Sequence, residues 1–287
     1  MRALVLGVRK VVLAGFAVFI VAAYTSVAEA QIFSFDDLIA KGEGAVRFSL
    51  SRVDSRIPSI SVTIDIYGKI TELTVVRVSR AVSTLKEMGK IASADIPQLA
   101  DDEWLFEVNL LSSGGSVDAA IETGRILRSL GATVKVAEGM ICESSCILIL
   151  AGGTTRLMKG YIGIHRPYFE TPTKPLATAE VSAAMTRMRD KLVAYLSSMN
   201  VDRALADDMM KIPPENIRYL TPADLNRYGL LERDPVAEET AALKEASKYG
   251  LSRSEYMKRK ASIKEVCARP YDKSYADCAA KIFSGNP

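Results

Sequence analysis

The stretch SSGGSVDAAIETGRILRSLGATVKVAEGMICESSCILILAGGTTRLMKGYIGIH, residues 112–165, decides how this chain is read. An apolar run, Trp104 to Leu111, enters it and stops at Ser112-Ser113-Gly114-Gly115, as a strand running into a glycine turn does. Val117 to Leu130 then carries Ala120, Ile121, Ile126, Leu127 and Leu130 at helical spacing, and Gly131 ends it. Ala132 to Ala137 reads as a strand, Ser144 to Ala151 as a short buried helix, and Thr155 to Ile164 as short strands. Strand and helix alternate, which predicts parallel βαβ units in an α/β layer structure.

The flanking segments extend this pattern. Strands are expected at Ala45 to Leu50 and at Ile60 to Tyr67, and a helix at Thr71 to Met88. Asp95 to Asp102 reads as an acidic loop and Pro167 to Pro175 as a Pro/Thr-rich one. Helices are expected over Ala177 to Met199 and Asp202 to Met210, with a short one from Thr221-Pro222 to before Gly229. Asp234-Pro235 marks a boundary, beyond which the chain is charged, helical and rich in Ala, Lys and Glu.

At the N-terminus Arg2, Arg9 and Lys10 precede the apolar run Val11 to Ala23, and Ala28-Glu29-Ala30 has the small residues of a cleavage site. This predicts a signal peptide cut after Ala30, with an uncleaved membrane anchor as the alternative. The destination is then the periplasm or the outside. The remaining chain of about 257 residues suffices for one sizeable core plus an appendage. The expected organisation is signal peptide 1–30, lead-in 31–58, core domain 59–234 and helical appendage 235–287. The net charge is +3 over 287 residues, so no nucleic-acid partner is expected. Four cysteines in an exported chain favour disulfides, and local pairing, Cys142 with Cys146 and Cys267 with Cys278, is the simplest of three connectivities.

Three features carry chemistry. Gly114-Gly115 allows a positive φ and a close backbone approach at a helix start, where an anionic oxygen could be held. Ser144 lies between two cysteines at the start of an apolar helix, where a serine is either an N-cap or a nucleophile. His165 is the one histidine of the chain and so the one imidazole base available. Cys142, Cys146 and His165 as metal ligands is the weaker alternative, because a fourth ligand is not evident.

Together these segments resemble the ClpP/crotonase superfamily, and within it the Clp-protease-like serine peptidases of the ClpP/SppA type. The resemblance rests on Ser113-Gly114-Gly115-Ser116-Val117, on Ser144 within Cys142 to Cys146, and on Ile164-His165-Arg166-Pro167. Tyr219 to Asp224 with Tyr228-Gly229-Leu230 adds to it, and the whole spans Ile60 to Asp234. The resemblance implies a repeated ββα spiral, with Ser144 as nucleophile, His165 as general base, and the amides of Gly115 and Ser145 as the oxyanion hole. It implies a peptide or protein substrate, homo-oligomers, and neither cofactor nor metal. The family's third triad residue, an Asp, aligns with Pro213; Glu215 and Asn216 lie near enough to replace it. A Ser/Lys site using Lys211 or Lys159, and a non-catalytic binding module, remain the alternatives.

Overall fold

The structure is a computed structural model, and it describes residues 44–53, 59–95, 103–168, 177–267 and 273–285. The predicted leader, the acidic loop from residue 96 onward and most of the Pro/Thr-rich loop lie outside the described residues.

Among the described residues the fold is α/β, with two sheets, one of five strands and one of three. In the larger sheet β1 (Ala45–Val53) is antiparallel to β2 (Ser59–Tyr67), and β2, β3 (Glu103–Leu111), β4 (Thr133–Val136) and β6 (Thr155–Met158) are parallel. β1 falls inside the segment expected as a lead-in, yet it pairs with β2 along its whole length and forms the sheet edge. The alternation seen in the sequence has a direct cause. Val62, Ile64 and Ile66 of β2, and Val108 and Leu110 of β3, point into the core, while their odd-numbered neighbours such as Thr63 and Asp65 are only half-buried.

Helix α1 (Glu72–Asp95) follows β2 and extends past the predicted end at Met88. Helix α2 (Val117–Ser129) follows β3 and is capped by Ser116, whose hydroxyl accepts from the Ala119 N–H. Gly131 stands at φ +64°, the left-handed stop expected of it.

The smaller sheet is where the sequence reading was least complete. β5 (Ile141–Glu143) and β7 (Tyr161–Ile164) are parallel, and β8 (Arg218–Tyr219) is antiparallel to β7. β4-β5 then leads into helix α3 (Cys146–Gly152), and β6-β7 leads into helix α4 (Thr178–Ser198). Each pair sends its first strand to the large sheet and its second to the small one before the helix. β3 does the same in brief, since Ser112 bridges in parallel to Cys142 of β5 before α2 begins. The chain therefore repeats a ββα unit, as expected.

Helices α5 (Ala204–Lys211) and α6 (Pro222–Arg227) complete the core, the latter started by Thr221 and Asp224, which cap each other's ends. Beyond them α7 (Pro235–Lys248), α8 (Arg253–Val266) and α9 (Lys273–Ser284) form the helical C-terminal part. Phe283 stacks on Tyr249 and Tyr256 there, with ring centres 4.7 Å and 5.3 Å apart. The joint is Asp234. One of its oxygens accepts from the Val236 and Ala237 N–H groups at the start of α7, and the other meets Arg128 at 2.6 Å and Arg156 at 3.6 Å. Arg156 is 1 % exposed, so this is a buried ion cluster. Burial pulls the Arg156 guanidinium down to about 10, against the opposing pull of Asp234.

Candidate active site

Three parallel segments end side by side. The Ser112–Gly115 turn follows β3, Ser144 follows β5, and His165 follows β7. The bridge Ser112 to Cys142 and the pairing Glu143 to Gly163 set this order. Strand carboxyl ends at a crevice are the usual ligand position in α/β sheets.

Ser144 is the most unusual residue of the group. Its φ is +57°, the left-handed region that a residue with a side chain occupies at a cost of about 1–3 kcal/mol. It sits on the sharp turn from β5 into α3, a geometry that lifts a side chain off the backbone. The reading of Ser144 as an N-cap is corrected: the cap position is Ser145, and Ser145 makes no capping bond with its side chain. Two things hold Ser144 in place. Its N–H donates to the Gly163 carbonyl at 2.9 Å, and the disulfide Cys142–Cys146 closes the turn around it with Cα atoms 5.2 Å apart. Both half-cystines are buried. The same bond removes the two thiolates that a metal site with His165 would have used.

The glycine turn is shaped around this serine. Gly114 has φ +98°, and a Cβ there would come within 2.6 Å of the Ser144 Cβ. Gly115 has φ +151°, and a Cβ there would meet the Ile70 carbonyl oxygen at 2.1 Å. Both positions thus require glycine. The neighbouring bridge runs from Ile70 N–H to Gly114 C=O and from Ser116 N–H to Ile70 C=O, and among the described residues no hydrogen bond takes the Gly115 N–H. At the start of α3 the first bonds are Ile147 N–H to Ser144 C=O and Leu148 N–H to Ser145 C=O, and among the described residues none takes the Ser145 N–H either. The Ser145 hydroxyl is buried and donates to the Gly115 carbonyl at 3.2 Å, tying the two segments together. Sequence reasoning missed Ser112. Its buried hydroxyl donates to Gly68 C=O at 2.6 Å and accepts from Gly114 N–H at 3.0 Å, which pins the turn.

His165 is 6 % exposed. Its Nδ1 lies 2.9 Å from the Arg166 carbonyl oxygen. A carbonyl only accepts, so Nδ1 is the donor, and in the neutral tautomer this leaves the lone pair on Nε2. Among the described residues no hydrogen bond joins the Ser144 hydroxyl to His165. Such bonds are often long in unliganded sites.

Among the described residues no hydrogen bond joins Glu215 or Asn216, the candidates for a third member, to the imidazole; both are exposed, and Asn216 N–H closes a turn on Pro213 C=O. Lys211 is engaged by Asp208 at 2.8 Å. That aspartate organises the nearby segment. Lys211, Tyr228 and Arg227 hydrogen-bond it, and Arg218 of β8 lies at 3.7 Å. Burial alone would raise the Asp208 carboxyl, but those donors outweigh it and hold it well below the usual carboxylate range. On the other face of β8, Tyr219 donates to Glu143 Oε1 at 2.5 Å, next to Ser144 in the chain.

No protein-family profile and no curated protein matches this chain. Solved structures similar to it include two mutants of 1510-N, a membrane-bound stomatin-specific protease. The serine-to-alanine mutant is 20% identical with a TM-score of 0.39, over 62% of this chain and 82% of that one. The lysine-to-alanine mutant, in complex with a substrate peptide, is 20% identical with a TM-score of 0.40, over 61% and 76%. ClpP1 of Listeria monocytogenes, as an asparagine-to-aspartate mutant, is 17% identical with a TM-score of 0.42, over 61% and 93%.

Proposed function

We propose that this chain is an exported serine peptidase of the ClpP/SppA type, acting on a peptide or protein by acyl transfer. Ser144 Oγ attacks the scissile carbonyl and His165 Nε2 takes its proton. The amides of Gly115 and Ser145 hold the oxyanion. His165 then returns the proton to the leaving amine, and water hydrolyses the acyl-enzyme with the same base. The reading calls for no cofactor. One observation carries it: a serine held at φ +57° beside the strand end that bears the chain's one histidine, whose Nδ1 donates to a backbone carbonyl. The expected result is that a fluorophosphonate probe labels Ser144, that Ser144→Ala abolishes labelling, and that His165→Gln cuts its rate by at least about a thousandfold. A folded wild type that stays unlabelled overturns the proposal.

A second reading, a peptide-binding module without turnover on the same scaffold, is favoured by the neutral partner of His165 Nδ1. Peptide binding that persists unchanged in Ser144→Ala without cleavage by the wild type selects it.

Export is part of the same proposal, with a signal peptide cut after Ala30 and delivery to the periplasm or outside. Two disulfides support it, Cys142–Cys146 and Cys267–Cys278, and among the described residues no helix is long and apolar enough to cross a membrane. The N-terminal sequence of the secreted product tests the cut, and native mass tests assembly into a homo-oligomer. The division into a core, 59–234, and a helical appendage, 235–287, belongs to the proposal too; limited proteolysis near Asp234 tests it.

A further inference from the structure

The segment His165-Arg166-Pro167-Tyr168 supplies more than the base. Pro167 is buried and fixes its own φ, and it pushes Arg166 toward extended backbone. This short, stiff segment delivers two groups to the same imidazole. The Arg166 carbonyl accepts a hydrogen bond from Nδ1, 2.9 Å away. The Tyr168 ring lies alongside the imidazole face, with centres 6.2 Å apart and planes inclined by 22°. That is an offset stack, within the range in which aromatic pairs attract. Yet Tyr168 is 68% exposed, so its ring gains little from burial, and its position over His165 is its one ring contact among the described residues.

The chemistry gives the contact a use. When Nε2 accepts the Ser144 proton, the ring becomes a cation. In a Ser-His-Asp triad a carboxylate orients the ring and stabilises that charge. Here the group at Nδ1 is a neutral carbonyl. An electron-rich aromatic face beside the imidazolium stabilises a cation at about this range and hinders the ring from turning out of the site.

We propose that Tyr168 is a positioning residue for His165, holding the imidazole in register with Ser144 and stabilising its protonated form where a triad carboxylate would otherwise do so. This rests on the Ser144/His165 reading.

The test uses the single histidine. In the mature chain with isotope-labelled histidine, NMR shows one imidazole. Its ring protons are expected upfield from the Tyr168 ring current, and its nitrogens are expected to show the Nδ1-protonated form. Tyr168→Leu is expected to remove the upfield displacement and to slow fluorophosphonate labelling on the order of fivefold, with the melting temperature unchanged. Tyr168→Phe, which keeps the aromatic face, is expected to recover most of both. Labelling of Tyr168→Leu at the wild-type rate overturns the proposal, as does a wild-type spectrum without the displacement. A wild type that shows the displacement but is never labelled at Ser144 fails differently: the Ser/His reading falls, and the role of Tyr168 falls with it.

Discussion

The molecule carries two disulfides, and they sit in contrasting surroundings. Cys142–Cys146 spans four residues, is buried at both ends, and encloses a serine in left-handed backbone. Cys267–Cys278 spans eleven and ties the end of α8 to α9. In the chain-entropy account these loops are worth about 2 and about 3 kcal/mol, so the two differ by only about 1 kcal/mol. What separates them is their content. The short loop constrains a serine whose backbone lies outside the comfortable regions; the longer one joins two ordinary helices. One bond chemistry thus serves geometry in one place and stability in the other.

The contrast leads to expectations that bear on it in turn. Asp234 joins the two regions, so Asp234→Ala is expected to cost about 3–5 kcal/mol by stranding buried Arg156 beside Arg128. Denaturant unfolding measures it, and a loss below 1 kcal/mol would show that the joint does not couple them. Removing the short bridge, as Cys142→Ala with Cys146→Ala, is expected to slow Ser144 labelling on the order of a hundredfold, out of proportion to a stability loss of about 2 kcal/mol. Equal losses in both would reduce that bridge to a plain staple. Cys267→Ala with Cys278→Ala is expected to destabilise the C-terminal helices by about 3 kcal/mol and leave labelling at the wild-type rate; hydrogen exchange localises the change.

The mildest expectation concerns acid. Asp208 and Asp234 are both held below the ordinary carboxylate value, Asp208 by its donors and Asp234 by Asn200 and Arg128, in each case against the opposing effect of burial. A depressed carboxylate stabilises the fold above its unfolded value and loses that contribution as pH falls through the folded one. The melting temperature is therefore expected to hold near neutral pH and to decline below about pH 4, and Asp208→Asn is expected to flatten part of that decline. A melting temperature that rises on acidification would contradict both assignments.

Much of the frame was legible from local pattern. The buried alternation of Val62, Ile64 and Ile66, the glycine stop at Gly131, and the Thr221-Pro222 helix start are short-range signals, and each element formed where its signal lay. The short strands Ile141–Glu143 and Arg218–Tyr219 were not legible, because three and two residues are too few to show a period. The site divided in the same way. Gly114, Gly115, Ser144 and His165 announced themselves by type and spacing. Ser112 and Tyr168 did not, because a serine before a glycine turn and a tyrosine after a proline are commonplace until their partners are known.

Composition and spacing gave the α/β class and the cysteines' local pairing as the simplest choice, and with the family resemblance they pointed to Ser144 and His165. These follow from propensity, periodicity and side-chain chemistry, which act within a few residues. Folding decided what those residues do to one another: that Ser144 turns into left-handed backbone, that a carbonyl rather than a carboxylate meets the imidazole, and that one aspartate anchors the last three helices to the core. Such facts arise where strands distant in the chain end side by side, and no local pattern encodes the distance between them.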